Sequence, residues 1–335
     1  MVAKNLLEDG VLFRTKKGKP VEMPVPLAPL ADTHGHLTSF RKLKPEVAVA
    51  RAALAGVRLL AVPVDPADDV PDVPAFLAWF EQVREGTARL LRELAREGVE
   101  PLTPPGVSAE SLPPLSDNLY FLAGVHPYGA RRFMEDPSIR ERLEALLDDP
   151  RCVGVGEFGL DVGPWSELSL EEQVPAMREH LRIACERDLP AELHIRDGEG
   201  PLETAAHDCA LELLREESLP RRGCVLHCFT SGPKVMEPFI ELGCHVAFGG
   251  ASTFGRSDDI RAAALQCPEQ LLLCETDSPY MAPVPLRGRE CEPAMVSLTA
   301  HNLACVREEA DISSARQTYE ALWHNALALF GLPQV

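Results

Sequence analysis

The chain has 335 residues, of which 45% are hydrophobic, and its 51 Asp and Glu outnumber 33 Lys and Arg for a net charge of −18. That length suits one large α/β domain or two ordinary ones, and the apolar content excludes an intrinsically disordered chain. The acidic balance excludes a protein that coats nucleic acid through a basic surface, although bound cations can invert the local field of an acidic site.

Residues 1–29 are mixed in charge, carry Pro20, Pro24, Pro26 and Pro29, and show no periodic pattern, so they read as an N-terminal extension. Acidic residues stand at positions 8 and 9, where a signal peptide would be apolar. No apolar run approaches the roughly eighteen residues of a membrane-spanning helix. A cytoplasmic protein with no membrane association and no stable protein partner is expected. The ten cysteines include no CxxC pair, and several sit within apolar runs as small core residues do, so reduced thiols are expected.

From residue 30, short apolar runs alternate with longer amphipathic patterns. The runs are 30–37, 57–65, 119–126, 152–158, 190–196, 223–229, 244–249 and 271–277. Each reads as a strand buried on both faces. Helical patterns fall at 46–55, 76–97, 140–147, 169–187, 202–216, 233–242, 259–264, 294–309 and 313–330. Eightfold strand–helix alternation predicts an α/β protein with a (β/α)8 TIM-like barrel over residues 30–335. A doubly wound open sheet is the runner-up, weakened because no GxGxxG follows the first run. The proline-bearing stretch 66–118 surrounds one strong helical pattern and predicts an enlarged βα region at the barrel mouth.

The chemistry lies where these runs end. The first finishes Asp32-Thr33-His34-Gly35-His36, the third at His126, the fourth at Glu157, the fifth His194-Ile195-Arg196-Asp197, the sixth His227 and the eighth Glu275-Thr276-Asp277. Five of the ten histidines fall at such ends. In a barrel the carboxyl ends of the strands share one rim, where active sites form. His34 and His36, two apart on a strand, point the same way. An HxH pair alone is more often two satisfied polar residues; its coincidence with Glu157, His194, His227 and Asp277 at one rim predicts a metal-dependent hydrolase. Glu157 suits a bridge between two cations, with an arginine partner such as Arg196 as the bland alternative. Asp277 suits a ligand that also takes a proton from attacking water. His126 is a candidate for substrate contact or proton transfer, or a core histidine. Arg196 and Asp197 read equally as a structural pair or as substrate contacts. Asp161 reads as a residue that orients a neighbour or caps a turn, and Arg287-Gly288-Arg289 as a phosphate contact or a solvated loop. No GxSxG or GxxxxGK[ST] is present, which disfavours a serine nucleophile or a phosphate loop.

In this order, the motifs from Asp32-Thr33-His34-Gly35-His36 through Gly124-Val125-His126-Pro127, Gly156-Glu157-Phe158-Gly159-Leu160-Asp161, His194-Ile195-Arg196-Asp197 and Leu226-His227-Cys228-Phe229 to Glu275-Thr276-Asp277-Ser278-Pro279 resemble the TatD family of metal-dependent deoxyribonucleases. The resemblance runs from about Leu30 to Leu332. It implies one cation on His34, His36, Glu157 and Asp277 and a second on Glu157, His194 and His227; the mixed His and carboxylate donors suit Zn or Mn as well as Mg. It implies phosphodiester hydrolysis with nucleic acid as substrate, Asp277 and Glu157 as catalytic residues, and His126 at the substrate site. Rival readings are a same-fold hydrolase of an ester, amide or lactone, including an aminoacyl-tRNA ester, and a non-catalytic metal-holding protein. Two departures stand out: Cys291 replaces the family's usual asparagine, and the 65–118 stretch and the lead-in are longer than the family norm. Both departures are expected to border the mouth.

Overall fold

A computed structural model describes residues 6–200 and 203–333. Parts of the expected extension (1–5) and the first position of the helix expected at 202–216 lie outside the described residues. Eight strands follow in chain order: β1 Leu30–Asp32, β2 Val57–Val64, β3 Leu119–Ala123, β4 Cys152–Asp161, β5 Ala191–Arg196, β6 Cys224–Leu226, β7 His245–Phe248 and β8 Leu272–Cys274. Each pairs in parallel with the next. The ring closes between the first strand and the last. Thr33 N–H donates to Cys274 O at 3.3 Å, Asp277 N–H to His34 O at 2.9 Å and His36 N–H to Ser278 O at 2.9 Å. This is the expected (β/α)8 barrel.

The helices are α1 Pro45–Leu54, α2 Val73–Arg96, α3 Ala130–Glu135, α4 Pro137–Leu147, α5 Leu170–Arg187, α6 Ala205–Glu217, α7 Pro233–Glu241, α8 Asp258–Gln266, α9 Val296–Glu309 and α10 Ala315–Leu329. Local chemistry sets several starts. Asp72 caps α2 by accepting the Ala75 N–H at 3.0 Å, and capping boxes pair Ser169 with Glu172 and Ser314 with Gln317. Helix α3 was not expected; six residues are too few to show a helical period. The lead-in is also more ordered than its composition suggests. Phe13–Arg14 pairs with Pro20–Val21 in a short antiparallel ladder, and Phe13 is fully buried beneath the Arg51 guanidinium.

Alternation along the strands sorts the apolar residues into two cores. Outward residues such as Leu60 and Val62 pack under the helices. Inward residues, among them Leu59, Ala61, Leu122, Val153, Val225 and Leu273, fill the barrel. Trp323, Leu327 and Phe330, on or next to α10, belong to that inner core, so the helix stoppers the end of the barrel opposite the rim. Replacing Trp323 with Ala should cost about 3–5 kcal/mol, read as a lower urea midpoint; an unchanged midpoint would show that the stopper adds little. Strand β5 brings no apolar side chain to this core. Its inward residues are Glu192, His194 and Arg196, and the polar layer they open is the functional one.

Candidate metal centre

Two tight crossings bring the strand ends together. A Cβ on Gly35 would lie 3.0 Å from Asp32 Oδ2 and 3.1 Å from Ser278 Oγ, so the end of β1 presses close against the segment after β8 and a side chain there would have to push its neighbours aside. Gly159 has φ +155°, and a Cβ there would sit 2.0 Å from the His194 carbonyl oxygen. Asp277 is held in the left-handed region at φ 52°, a strain of about 1–3 kcal/mol that neighbouring bonds must offset. Its N–H donates to His34 O and its C=O accepts from Tyr280 N–H, both at 2.9 Å.

The six expected ligand residues converge. His34 Nε2 lies 3.2 Å from His36 Nε2. Glu157 Oε1 is 3.8 Å from His34 Nε2 and 3.4 Å from His36 Nε2, and Asp277 Oδ1 is 3.8 and 3.7 Å from the same two atoms. The other carboxylate oxygen, Glu157 Oε2, is 3.1 Å from His194 Nδ1 and 3.0 Å from His227 Nε2. Those two ring nitrogens are 3.3 Å apart. Ligands about 2.1 Å from one cation stand about 3.0–3.4 Å from each other in octahedral or tetrahedral arrangement. The group of His194, His227 and Glu157 Oε2, at 3.0–3.3 Å, falls in that range, and the group around His34 and His36, at 3.2–3.8 Å, is looser; Glu157 is common to both.

Carboxylates hold two of the opposite ring nitrogens and face the third. His34 Nδ1 bonds Glu192 Oε2 at 2.9 Å, His194 Nε2 bonds Asp161 Oδ2 at 3.0 Å, and His227 Nδ1 faces Glu275 Oε1 at 3.5 Å. Carboxylates in this position fix the tautomer and aim of metal-ligating imidazoles. Glu275 also accepts the Cys228 N–H. Asp32, fully buried, accepts the Thr276 hydroxyl at 2.6 Å and backbone N–H at 2.8 Å, tying β1 to the chain after β8.

Burial pushes His34 and His36 down to about 3, so both offer neutral lone pairs. Burial opposes charge on His227 as well, but Glu157 outweighs it and holds the imidazole well above its ordinary value. The converse holds for Glu157: burial would raise it, yet the His227 charge and hydrogen bonds from His194 and His227 keep it well below the carboxylate range. Burial lifts Asp277 to about 7. A buried cluster of carboxylates balanced only by protonated imidazoles has the charge balance that divalent cations would satisfy.

The remaining expected residues divide. His126 packs edge-on against His194 with ring centroids 4.4 Å apart. Its Nδ1 accepts the Tyr128 N–H at 3.3 Å. Burial pushes it down to about 3, so the neutral ring carries its proton on Nε2. Arg196 pairs with Asp161 at 2.6 Å, donates to the Tyr128 hydroxyl and lies over the Trp165 ring. Asp161, not Glu157, is thus the arginine's partner, and it orients His194 and accepts the Gly163 N–H. Asp197 caps α6, accepting the Ala206 N–H and His207 Nδ1–H. Arg287 is exposed and stacks 4.3 Å above Phe254, while Arg289 is tied to Glu8 and to Arg14 O. Cys291 does not line the mouth: it is fully buried, its N–H donating to Pro279 O as the chain turns back under the rim.

Sequence reasoning missed Glu192 and left Glu275 without a role. Glu192 had a signal, because it is the charged residue of an apolar run and stands two before His194, on the same face. Glu192→Gln should weaken metal affinity about 10- to 100-fold while the far-UV circular dichroism stays the same; chelator competition measures it, and parental affinity would remove Glu192 from the supporting layer.

Comparison with known proteins agrees with this geometry. A family model described as TatD related DNase matches residues 31–331. The metal-dependent hydrolase YcfH of Escherichia coli K12 is 37% identical over 191 residues, 57% of this chain and 67% of that one. A Klebsiella pneumoniae protein named 3'-5' ssDNA/RNA exonuclease TatD is 32% identical over 217 residues, 63% of this chain and 76% of that one. The crystal structure of YjjV, a TatD homologue from Escherichia coli K12, superposes with a TM-score of 0.65 and 26% identity, covering 91% of this chain and 98% of that one. A match that spans the whole barrel from its first strand to past its last helix places the chain in the TatD family, and it is a metal-dependent hydrolase acting on ester bonds.

Proposed function

We propose that the protein is a nuclease that hydrolyses phosphodiester bonds of nucleic acid with two divalent cations, Mg, Mn or Zn, held by His34, His36, Glu157 and Asp277 on one side and by Glu157, His194 and His227 on the other. The supporting observation is the split of Glu157, whose two oxygens each face a different histidine pair. The name of the Klebsiella relative supports the substrate class. Bound there, the cations would make a water acidic near neutral pH and offset charge on the phosphate oxygens. Asp277, whose Oδ1 lies 3.8 and 3.7 Å from His34 and His36 Nε2, would take the proton of the attacking water. The Nε2–H of His126 is available to a phosphate oxygen, and Arg196 and Arg287 offer fixed positive charge at the rim. Residues 30–335 serve as one catalytic domain and 1–29 as an extension, of which the described part from residue 6 packs on that domain. The ten unpaired cysteines support a cytoplasmic location, and among the described residues no helix is long and apolar enough to cross a membrane.

The test is direct. Protein loaded with Mg, Mn or Zn is assayed on single-stranded DNA, aminoacyl esters and lactones, and DNA hydrolysis is expected. Turnover of an ester or lactone with no cleavage of DNA would overturn the proposal.

A further inference from the structure

Beside the metal centre lies a second cavity, about 430 Å3 in volume, within the roughly 300–1,000 Å3 of small-molecule sites. It sits on the same rim, between the loop that follows β1 and the loop that leads from β2 into α2. Leu37, Phe40, Phe76 and Trp79 supply its apolar and aromatic walls, and Asp69 and Asp72 its carboxylates. Leu37 directly follows the ligand His36 in sequence. On the other side, Asp69 accepts the Asp65 N–H at 3.3 Å, and Asp65 accepts the His126 N–H at 3.1 Å. The cavity is therefore joined to both flanks of the centre.

Its lining selects its occupant. Among the described residues no Lys or Arg lines it, and two carboxylates would repel a phosphate. The Phe76 and Trp79 rings lie 5.7 Å apart, and Trp79 and Phe40 are partly exposed. Aromatic faces of this kind stack flat π systems. Asp72 spends one oxygen on the Ala75 N–H at 3.0 Å, so each carboxylate keeps lone pairs for further donors. A flat, aromatic group bearing N–H donors, attached to a phosphodiester held at the metal centre, meets all of these conditions.

We propose that this cavity is the base subsite: it takes an unstacked, amino-bearing nucleobase next to the scissile phosphate, stacked against Trp79 and Phe40 with its exocyclic amine toward Asp69 or Asp72. The inference rests on the phosphodiesterase reading and adds what that reading lacks, a reason to prefer single-stranded substrate. A paired and stacked base cannot enter such a cavity.

Single-stranded oligodeoxynucleotides carrying adenine, thymine or an abasic residue beside the cleaved bond separate the possibilities. The parent should cleave the adenine substrate with KM about 10-fold lower than the abasic one, with thymine in between. In Trp79→Ala and in Phe40→Ala the adenine and abasic values should converge, with bound metal unchanged from the parent as the control for folding. Equal KM for adenine and abasic substrates in the parent, or an undiminished difference in both variants, overturns the subsite while leaving the nuclease reading intact. Failure of the metal-loaded parent to cleave any oligonucleotide overturns both. A loss confined to aryl ester turnover assigns the cavity to a small ester and overturns the base subsite.

Discussion

Glu157→Gln should lower phosphodiester turnover about a thousandfold or more and leave the protein with less than its full complement of metal. Both consequences come from one loss of charge. Glu157 Oε1 faces His34 and His36, and Oε2 faces His194 and His227. Removing its charge deprives both groups of their shared anion, and the amide nitrogen that replaces one oxygen turns a donor toward ring nitrogens that must themselves coordinate. Stability of the metal-free protein should fall, because the ionised Glu157 balances the buried charge of His227 and the amide leaves that charge unpaired. Metal analysis of purified protein, alongside turnover at saturating metal, measures the effect. A variant that held full metal and kept activity within tenfold of the parent would show that Glu157 is not the bridge.

Asp277→Asn should fail differently. The three residues of the second group, Glu157, His194 and His227, are untouched, so metal is expected to remain there. The loss falls on kcat, by about 10²- to 10⁴-fold, because an amide cannot accept the proton of the attacking water. An Asp277 that acts as base must be ionised, so the parent rate falls on the acid side as the carboxyl takes up a proton. That limb should vanish from the residual activity of the variant. A kcat unchanged from the parent would place the proton acceptor elsewhere. Together the two substitutions separate holding the metals from using them.

The barrel was legible in the sequence because strands buried on both faces appear as unbroken apolar runs, and all eight were expected at positions that overlap the observed strands. The rim was legible for a related reason: His34, His36, Glu157, His194, His227 and Asp277 interrupt or end those runs, and only a barrel brings such ends together. What lay outside the pattern was harder. Glu192 hides inside a strand, and its role depends on a ring nitrogen of His34 across the barrel, a contact no local spacing encodes. Helix α3 and the ladder at Phe13 and Val21 are too short to show a period. The expectation that Cys291 borders the mouth followed its place in the sequence, whereas burial is decided by the backward turn of the chain at Pro279. The aromatic cavity arises from Phe40 and Trp79 on separate segments, and nothing in either segment alone announces it.

The closure of β1 onto the segment after β8 has a bearing on how the enzyme comes into being. His34 and His36 are made early in synthesis and Asp277 late, and α10, which stoppers the far end, is made later still. A nascent chain therefore lacks Asp277, one of the six proposed ligand residues, and keeps an open sheet with two unpaired edges until the last strand arrives. Ring closure and completion of the proposed ligand set are one event, because the bond from Asp277 N–H to His34 O that joins the two ends of the sheet also brings that carboxylate to the histidines.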